Sequence, residues 1–410
     1  MGVSQRRIAM LSVHSCPMGN LGAKDTGGMS VYIRELAREL GKQGLLVDIY
    51  TRVHDPADKQ IDRLSQNARL IHLRAGEDDE MHKLAVYAYL PNFAGNLESF
   101  RRQNSLSYDL VFSHYWLSGR VGQDLQHWWN VPHVMMFHTL GAIKNAIGIG
   151  EDEPELRIKT ERHLAGNRHH TIATTEKEKE DLIRHYGASP ERISVIPCGV
   201  NLELFQPMDK KKAKRQLGFG DDKIILFVGR ISPLKGIDQL IRAMTYLQNG
   251  QGLRLVILGG DENSQYEMDR LQKLSRDLHI ESSVTFLGRV KHDKLPCFYS
   301  AADVCVIPSY YESFGLVALE SMACGTPVVA NNVGNLRSII HQGRTGYVVM
   351  DNAPHRLAEK IALLLSKSSP SMKSAVSIRE SVTRFSWSNI AQAIIKECRR
   401  VLVNYSAQER

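Results

Sequence analysis

Short apolar runs alternate with amphipathic stretches along almost the whole chain. The apolar runs are rich in β-branched residues, which is typical of parallel strands buried on both faces. They predict strands at residues 7–13, 46–50, 68–73, 109–113, 133–138, 170–174, 193–196, 223–228, 253–258, 283–287, 303–307 and 328–330. The stretches between them repeat apolar residues three or four positions apart and predict helices, among them 29–44, 176–186, 238–246 and 265–278.

This succession of strands and helices predicts an α/β protein with doubly wound parallel sheets. The succession pauses at residues 197–207, which contain Pro197, Gly199 and Pro207, and then starts again. We therefore predict two Rossmann-like domains, residues 1–200 and 201–386. Residues 387–410 place their apolar side chains on one face, so we expect an amphipathic helix that docks on the rest of the molecule.

Length and composition are those of a globular protein. The 410 residues suffice for two domains with separate cores, and neither the 43% of hydrophobic nor the 23% of charged residues suggests disorder. No apolar run approaches the roughly 20 residues that span a bilayer, and the first residues lack a signal-peptide pattern, so we expect no stable membrane insertion. Six scattered cysteines predict reduced thiols and hence a cytoplasmic protein.

The net charge of +8 raises the question of a nucleic-acid partner. The single dense basic run, residues 210–215, is short and has no aromatic residues between its cations, so we predict no such partner. We interpret this run as a solvated helix face. A basic excess also suits an enzyme whose ligands are phosphorylated anions. The oligomeric state is open, and a homodimer is one option.

Residues 303–334 combine features of a binding site for phosphate and sugars. A predicted strand is followed by a loop with Glu312, by Gly315, and by a helix that contains Glu320. A helix that begins at the carboxyl end of a parallel strand points free N–H groups towards the crevice and favours phosphate there. Carboxylates at this place would repel phosphate but can accept hydrogen bonds from sugar hydroxyls. The pattern favours a nucleotide-sugar site, although a plain strand–helix unit with two solvated glutamates also fits the periodicity.

Two cations follow the first strand of the second half, where ligands bind in α/β sheets. Arg230 and Lys235 stand five positions apart in the turn at residues 229–236. Together they can stabilise the charge that grows on a departing nucleoside diphosphate. A turn with two surface cations is the simpler alternative.

The loop at residues 25–32 joins the first strand to its helix through paired glycines, which allow a ligand to approach the backbone closely. It lacks the G-x-G-x-x-G spacing of dinucleotide-binding proteins, and this weakens the case for a dehydrogenase.

The segments 312–320 and 325–330 resemble the core signature of the retaining glycosyltransferases of family 4, including two glutamates at E-x7-E spacing. The resemblance implies the GT-B fold, two Rossmann-like domains facing a central cleft, with the final helix crossing back onto the first domain. It implies that Arg230 and Lys235 bind the donor pyrophosphate, Glu312 orients the sugar and Glu320 holds the ribose. It further assigns donor contacts to Gly28, Val290, Phe314, Gly315 and Leu316.

Histidines that follow predicted strands supply further candidates. Any one of the 16 histidines is more often packed or solvated than catalytic, but His138 stands at a strand end before a Thr-Leu-Gly turn. The family resemblance implies that His138 hydrogen-bonds the reacting sugar. His14 and His114 are candidates of second rank, with His14 on the acceptor side.

The acceptor side is similar to two groups within the family, the mycothiol-pathway inositol-phosphate N-acetylglucosaminyltransferases and the sucrose-phosphate synthases. The similarity rests on residues 113–119, 138–145 and 153–157. It implies that the acceptor phosphate is held by Lys83, Tyr115, Thr139 and Arg157. Ser30 and the pair Asn20-Leu21 depart from the inositol-phosphate group, and both departures lie near the expected donor and acceptor.

We therefore expect a glycosyltransferase that moves a hexosyl group from a nucleotide sugar, UDP-glucose or UDP-N-acetylglucosamine, to inositol phosphate or a sugar phosphate such as fructose 6-phosphate. His138, Arg230, Lys235 and Glu312 are the expected catalytic residues. No cofactor is expected and no Asp-x-Asp metal clamp is present in the sequence, so Mg²⁺ is at most optional. A glycosidase, a nucleotide-sugar epimerase, a dinucleotide-dependent oxidoreductase and a non-catalytic nucleotide-sugar sensor are the alternatives.

Overall fold

A computed structural model of the protein describes residues 5–19, 26–79, 81–167, 169–247, 252–366 and 372–408. Its first lobe contains one sheet with the spatial strand order β3-β4-β2-β1-β5-β6-β7-β8. Every pairing in this sheet is parallel except that of β3 with β4. The strands are β1 Arg7–Leu11, β2 Leu46–Arg52, β3 Ile61–Arg63, β4 Ala68–Leu73, β5 Leu110–His114, β6 His133–Met136, β7 His170–Ala173 and β8 Ile193–Val195.

Helices connect these strands, as the parallel pairing requires. They are α1 Gly28–Lys42, α2 Lys83–Ala88, α3 Leu90–Gln103, α4 Trp116–Trp129, α5 Gly141–Ile147, α6 Glu155–Gly166 and α7 Glu176–Tyr186. The predicted strand at 133–138 ends earlier, at Met136, because the backbone turns at His138, whose φ angle is +61°. A strand cannot continue through this left-handed conformation.

The second lobe contains a parallel sheet with the order β11-β10-β9-β12-β13-β14. Its strands are β9 Lys223–Val228, β10 Leu253–Leu258, β11 Val284–Gly288, β12 Val304–Ile307, β13 Val328–Asn331 and β14 Gly346–Val349. Its helices are α8 Lys210–Gln216, α9 Ile237–Met244, α10 Gln265–Asp277, α11 Leu295–Ala301, α12 Leu316–Ala323, α13 Leu336–Ile339, α14 Pro354–Leu365 and α15 Met372–Glu380. The predicted α/β class with two parallel, doubly wound sheets is confirmed.

The last helix, α16, spans Trp387–Gln408 and packs against α1 of the first lobe. Trp387 is buried and meets Tyr32 edge to face at a ring distance of 5.2 Å. It also covers Gly199, where an added Cβ would lie 2.5 Å from the indole ring. The chain therefore leaves the first lobe at about residue 200 and returns to the same place through α16.

One apolar cluster runs through both lobes. It contains Met10 and Phe112 from the first sheet, Leu226 and Ala330 from the second, and Ile394 from α16. Two further clusters lie within single lobes, one on the other face of each sheet. The shared cluster fixes the mutual position of the two sheets, since separating the lobes would expose buried apolar side chains.

The interpretation of residues 210–215 as a solvated helix face is wrong for two of its lysines. Lys210 and Lys214 of α8 form ion pairs with Asp303, each with an N···O distance of 2.9 Å. Asp303 also accepts a hydrogen bond from the backbone N–H of Ile224 at 2.8 Å. These lysines thus tie α8 to the start of β9 and β12, a contact that the sequence pattern does not reveal because the partners are about 90 residues apart.

The described part of the chain contains no helix with both the length and the apolar composition that a membrane crossing requires.

Candidate active site

The carboxyl ends of the two sheets face each other, and loops from both lobes touch there. The backbone N–H of Leu140, which follows β6, lies 3.4 Å from the hydroxyl of Tyr311, which follows β12. An added Cβ on Gly28 at the start of α1 would lie 3.3 Å from Leu316 at the start of α12. The turns that carry most of the predicted site residues therefore meet in one cleft.

The predicted diphosphate-binding cations lie on the second-lobe side of this cleft. Arg230 follows β9 and is exposed, whereas Lys235 is partly buried in a short turn before α9. The Lys235 Nζ forms an ion pair with Oε1 of Glu312, and the Ser309 hydroxyl donates to the same oxygen at 2.8 Å. Within the described residues the other Glu312 oxygen has no recorded partner, which leaves it available to accept from a sugar hydroxyl.

The helix that begins at this point is held in place by a glycine turn. Gly315 caps the start of α12 with a φ angle of +102°, a conformation that favours glycine. An added Cβ would lie 2.5 Å from the side chain of Leu336, so the space is also closed. Phe314 is 2% exposed and anchors the turn in the shared core. The N–H groups of the first turn of α12 therefore point towards the cleft from a rigid base.

Glu320, predicted to hold the ribose, is buried one turn into α12. Its Oε1 lies 2.9 Å from Nε2 of His292, and its Oε2 accepts from the hydroxyl of Tyr299 at 2.8 Å. Because Nδ1 of His292 lies 3.5 Å from Arg34 of α1, this network reaches the first lobe. Each carboxylate oxygen can accept a second hydrogen bond, so the network orients Glu320 without saturating it.

His138 lies at the end of β6 with its Nε2 2.9 Å from Nδ1 of His114 at the end of β5. Burial lowers the pKa of His138 to about 3, and burial together with His138 holds the pKa of His114 well below its usual value. Both rings are therefore neutral near pH 7, and each can donate one hydrogen bond and accept another. Tyr32 packs edge to face against His138 at 5.3 Å and fixes its position.

The predicted acceptor-phosphate residues come together around the ring of Tyr115. The Arg157 guanidinium lies over this ring at 4.8 Å, and Lys83 Nζ lies 5.8 Å from its centre. One nitrogen of Arg157 donates to both the carbonyl and the hydroxyl oxygen of Thr139, each at 2.9 Å. His14 packs against the same ring at a ring distance of 4.3 Å, with the two planes tilted by 31°. These five residues come from five separate segments of the chain.

Tyr115 has a backbone conformation that is rare for any residue except glycine, with φ +78° and ψ 159°. Its side chain is nonetheless 5% exposed and packed, so the surrounding contacts impose the conformation. Strain of this kind is typical of functional sites. Tyr115 and His138 both have positive φ angles, and both lie at strand ends in the cleft.

Three charged residues of this site were missed by sequence reasoning. Lys144 of α5 forms an ion pair with Glu153, and burial, with Arg157, Lys83 and Arg230 nearby, lowers the pKa of Lys144 to about 8. Glu161 of α6 is fully buried and pairs with Arg157 at 2.6 Å. Arg157 stands four positions from both glutamates, so this spacing was a signal in the sequence, whereas the pairing of Lys144 with Glu153 was not.

Of the remaining predicted residues, some lie close to the cleft and others are not among the residues that the structure describes. Val290 follows β11 and is partly buried against the shared core. Ser30 is buried in the first turn of α1, where its hydroxyl lies 2.9 Å from that of Ser15. Asn20 and Leu21 belong to the residues that the structure does not describe.

Two facing parallel-sheet lobes with a cleft between them are the arrangement expected of a nucleotide-sugar glycosyltransferase of the GT-B type. Residues 26–204 match the Glycosyltransferase Family 4 model, and residues 209–382 match the model of glycosyl transferases group 1. The chain belongs to this glycosyltransferase family, as the sequence resemblance predicted.

Individual relatives and solved structures show which members of the family the chain is similar to. The chain is 38% identical over 394 residues to a D-inositol 3-phosphate glycosyltransferase of Corynebacterium glutamicum, with 94% of each chain covered. It superposes on a sucrose-phosphate synthase of Thermosynechococcus elongatus with a TM-score of 0.89 and 34% identity over 98% of this chain and all of that one. Anabaena HepE, solved in complex with UDP-glucose, shares the fold with a TM-score of 0.73 at 20% identity, covering 96% of this chain and 99% of its own.

Proposed function

We propose that the protein transfers a hexosyl group from a nucleotide sugar to a hydroxyl of a small phosphorylated acceptor, with retention of the anomeric configuration. The observation that carries the proposal is the contact between Leu140, which follows Thr139 of the residues around Tyr115, and Tyr311, which precedes Glu312. A donor diphosphate and an acceptor phosphate held on these two sides would bring the sugar between them.

Two cations and a helix start are suited to the donor diphosphate. Arg230 supplies a fork of N–H donors from an exposed turn, and the first turn of α12 supplies backbone N–H groups. Lys235 adds charge and at the same time orients Glu312, whose second oxygen is assigned to a sugar hydroxyl. Glu320 is assigned to the ribose. UDP-glucose and UDP-N-acetylglucosamine are the proposed donors.

The transfer needs no protein nucleophile. In the proposed front-face step, the bond between the anomeric carbon and the diphosphate oxygen breaks, and the acceptor oxygen bonds to the same face of that carbon. The acceptor hydroxyl gives its proton to the departing diphosphate. His138, which is neutral, hydrogen-bonds the sugar and keeps the ring in position. Because Arg230, Lys235 and α12 meet the developing charge, we assign Mg²⁺ no necessary role.

Inositol phosphate is the preferred acceptor, supported by 38% identity to a protein named for D-inositol 3-phosphate. Fructose 6-phosphate is the alternative, supported by the likeness to sucrose-phosphate synthase. Both acceptors carry a phosphate monoester for Lys83, Tyr115, Thr139 and Arg157 to bind. We place the reaction in the cytoplasm, a proposal supported by the presence of all six cysteines as free thiols.

The test is product analysis with UDP-glucose and UDP-N-acetylglucosamine, each offered inositol phosphate and fructose 6-phosphate. We expect one acceptor to give an α-linked product whose anomeric proton coupling shows retention. Donor epimerised without acceptor would favour an epimerase, and tight donor binding without turnover would favour a sensor. Bound nicotinamide would favour an oxidoreductase, and hydrolysis of a glycoside would favour a glycosidase.

A variant separates acceptor binding from the rest of the reaction. Arg157→Ala is expected to raise the KM for the phosphorylated acceptor by about tenfold or more, since the guanidinium positions Thr139 and adds charge. It should leave the KM of the nucleotide sugar unchanged. Equal loss with a non-phosphorylated analogue of the acceptor would contradict the assignment of a phosphate site.

A further inference from the structure

Arg157 is paired with two carboxylates, although one would be enough to hold a guanidinium in position. Its side chain is 1% exposed and contacts Glu161 at 2.6 Å and Glu153 at 2.8 Å. Glu161 is also completely buried and accepts from the backbone N–H of Gly141 at 2.9 Å and the hydroxyl of Tyr186 at 2.7 Å. Glu161 is therefore a permanent structural partner of Arg157, which leaves Glu153 to be explained.

Glu153 differs from Glu161 in position and exposure. It precedes α6, keeps 15% of its side-chain surface exposed, and joins two cations, with Oε1 on Lys144 and Oε2 on Arg157. The backbone of Glu153 is clamped by Asn145, whose side chain accepts from its N–H at 2.7 Å and donates to its carbonyl at 3.0 Å. The position of the Glu153 backbone is thus fixed by the fold, while its carboxylate stays partly exposed.

The charges around Tyr115 show what this carboxylate does. Lys144 and Arg157 bring two positive charges to the residues around Tyr115, and Glu161 pairs permanently with Arg157. Glu153 engages both of these cations, which a bound phosphate would also use.

We propose that Glu153 is an internal substitute for the acceptor phosphate. Its carboxylate pairs with Arg157 and Lys144 while the acceptor is absent and leaves both when the phosphate group binds. An anion must then displace a carboxylate that is tethered at high effective concentration, so weakly held anions such as free inorganic phosphate are kept out of the site. This inference rests on the proposed function, because it requires that the cluster binds a phosphate.

Glu153→Gln tests the proposal, because it removes the charge and keeps the shape and the Asn145 clamp. Titration calorimetry with inorganic phosphate should show Kd about tenfold lower or more in the variant, as expected when one ionised partner leaves a partly buried cluster. The KM of the phosphorylated acceptor should fall in parallel, and that of the nucleotide sugar should stay within about twofold.

Glu155→Gln is the matched control, since Glu155 is two positions away, 64% exposed and paired only loosely with Lys159 at 3.7 Å. It should leave the Kd for inorganic phosphate unchanged. Glu153→Asp, which is too short to reach both cations, should change the Kd in the same direction as Glu153→Gln and serves if the latter does not fold. Phosphate binding by these variants equal to or weaker than that of the wild type would overturn the proposal.

Because calorimetry requires no turnover, the proposed role of Glu153 and the proposed reaction can be refuted independently of each other. A protein that uses no phosphorylated acceptor but whose Glu153→Gln variant gains phosphate affinity would refute the proposed reaction alone. A protein that uses the acceptor but whose variant gains none would refute the role of Glu153 alone.

Discussion

Individual side chains in the cleft act through the groups that position them. Lys235 is oriented by Glu312, Thr139 by Arg157, and Glu320 by His292. Since Arg157 donates to the hydroxyl oxygen of Thr139, the hydroxyl hydrogen of Thr139 is directed elsewhere and can be donated to a ligand. Removing one member of such a pair therefore affects two groups.

The cations assigned to the donor diphosphate give the first prediction. Arg230→Ala and Lys235→Ala should each lower kcat by about 10² or more, since both charges act on the departing group. Lys235→Arg, which keeps the charge beside Glu312, should lose less. Lys294→Ala removes a cation that is 69% exposed and should leave the steady-state rate unchanged. Near-normal kcat in both alanine variants would refute this assignment.

The pKa of Lys144 gives a pH prediction. Burial and the nearby Arg157 lower this pKa to about 8, so the ammonium loses its proton as the pH rises through that value. The acceptor phosphate is already a dianion there, since its second pKa is about 6. The KM of the phosphorylated acceptor should therefore rise above pH 8 while that of the donor stays level.

Lys144→Arg provides the control for this profile, because arginine remains charged throughout the range. Its acceptor KM should be flat between pH 7 and about 9.5. The same rise in this variant as in the wild type would show that another group titrates.

At the scale of elements, the proposed donor site depends on where two helices begin. The start of α12 is set by Gly315, and the start of α1 at Gly28 approaches it across the cleft. Helix starts concentrate unpaired N–H groups, and here both lie at the edge where the strands end. A change in the Gly315 turn should displace Glu312 and the first turn of α12 together.

Gly315→Ala tests this coupling. Alanine at φ +102° with its Cβ 2.5 Å from Leu336 should reduce the free energy of unfolding by about 1–3 kcal/mol and raise the donor Kd. Gly218→Ala has a similar φ of +71° but open space around it and lies at the surface. It should lower stability in urea titrations and leave donor affinity unchanged. Equal donor affinity in the two variants would argue against the coupling.

At the scale of the whole molecule, the two lobes share one core and one crossing helix. Arg379 of α15 strengthens this joint by donating to the carbonyl oxygens of Leu202 and Ala323, each at 2.7 Å. Asn201 donates to Glu35 of α1 at 3.0 Å. The cleft is therefore built on a frame that both lobes share.

Buried neutral histidines make the stability of this frame depend on pH. Burial keeps the pKa of His114 and His133 well below its usual value and lowers that of His169 to about 3. The unfolded chain binds protons at these groups below pH 6.5, whereas the folded protein does not. Their stabilisation is thus complete above pH 6.5 and declines as the pH falls, by roughly 1.4 kcal/mol per pH unit for each group.

Urea titrations at pH 7.5, 6 and 5 would measure this decline. In His169→Phe the dependence should be shallower by about one proton, because a group without a recorded hydrogen-bond partner in the described structure has been removed. Unchanged stability between pH 7.5 and 5 in the wild type would show that these histidines are protonated in the fold.

The amino-acid sequence contains enough information to predict the sheets, since side-chain periodicity is a local property. The strand at 223–228 and the helix at 176–186 occur in the structure with the same bounds. The motif turns at Arg230 and Glu312 were also recognisable, because glycine, proline and charged residues occur there at distinctive spacing. The roles assigned to individual site residues remain predictions.

Ion pairs between distant segments were decided only by the tertiary structure. The pairing of Asp303 with Lys210 and Lys214 joins segments of the second lobe that are about 90 residues apart in the chain. The bridge from Glu153 to Lys144 depends on how the loop after α5 folds back towards that helix. The backbone conformation of Tyr115 was also decided by the tertiary structure, since packing imposes φ and ψ angles that are rare for tyrosine. Periodicity and turn chemistry act over a few residues and therefore determine the elements and their class. The gathering of Lys83, His14 and Thr139 around Tyr115 and Arg157 arises from contacts across the fold, and no local pattern encodes it.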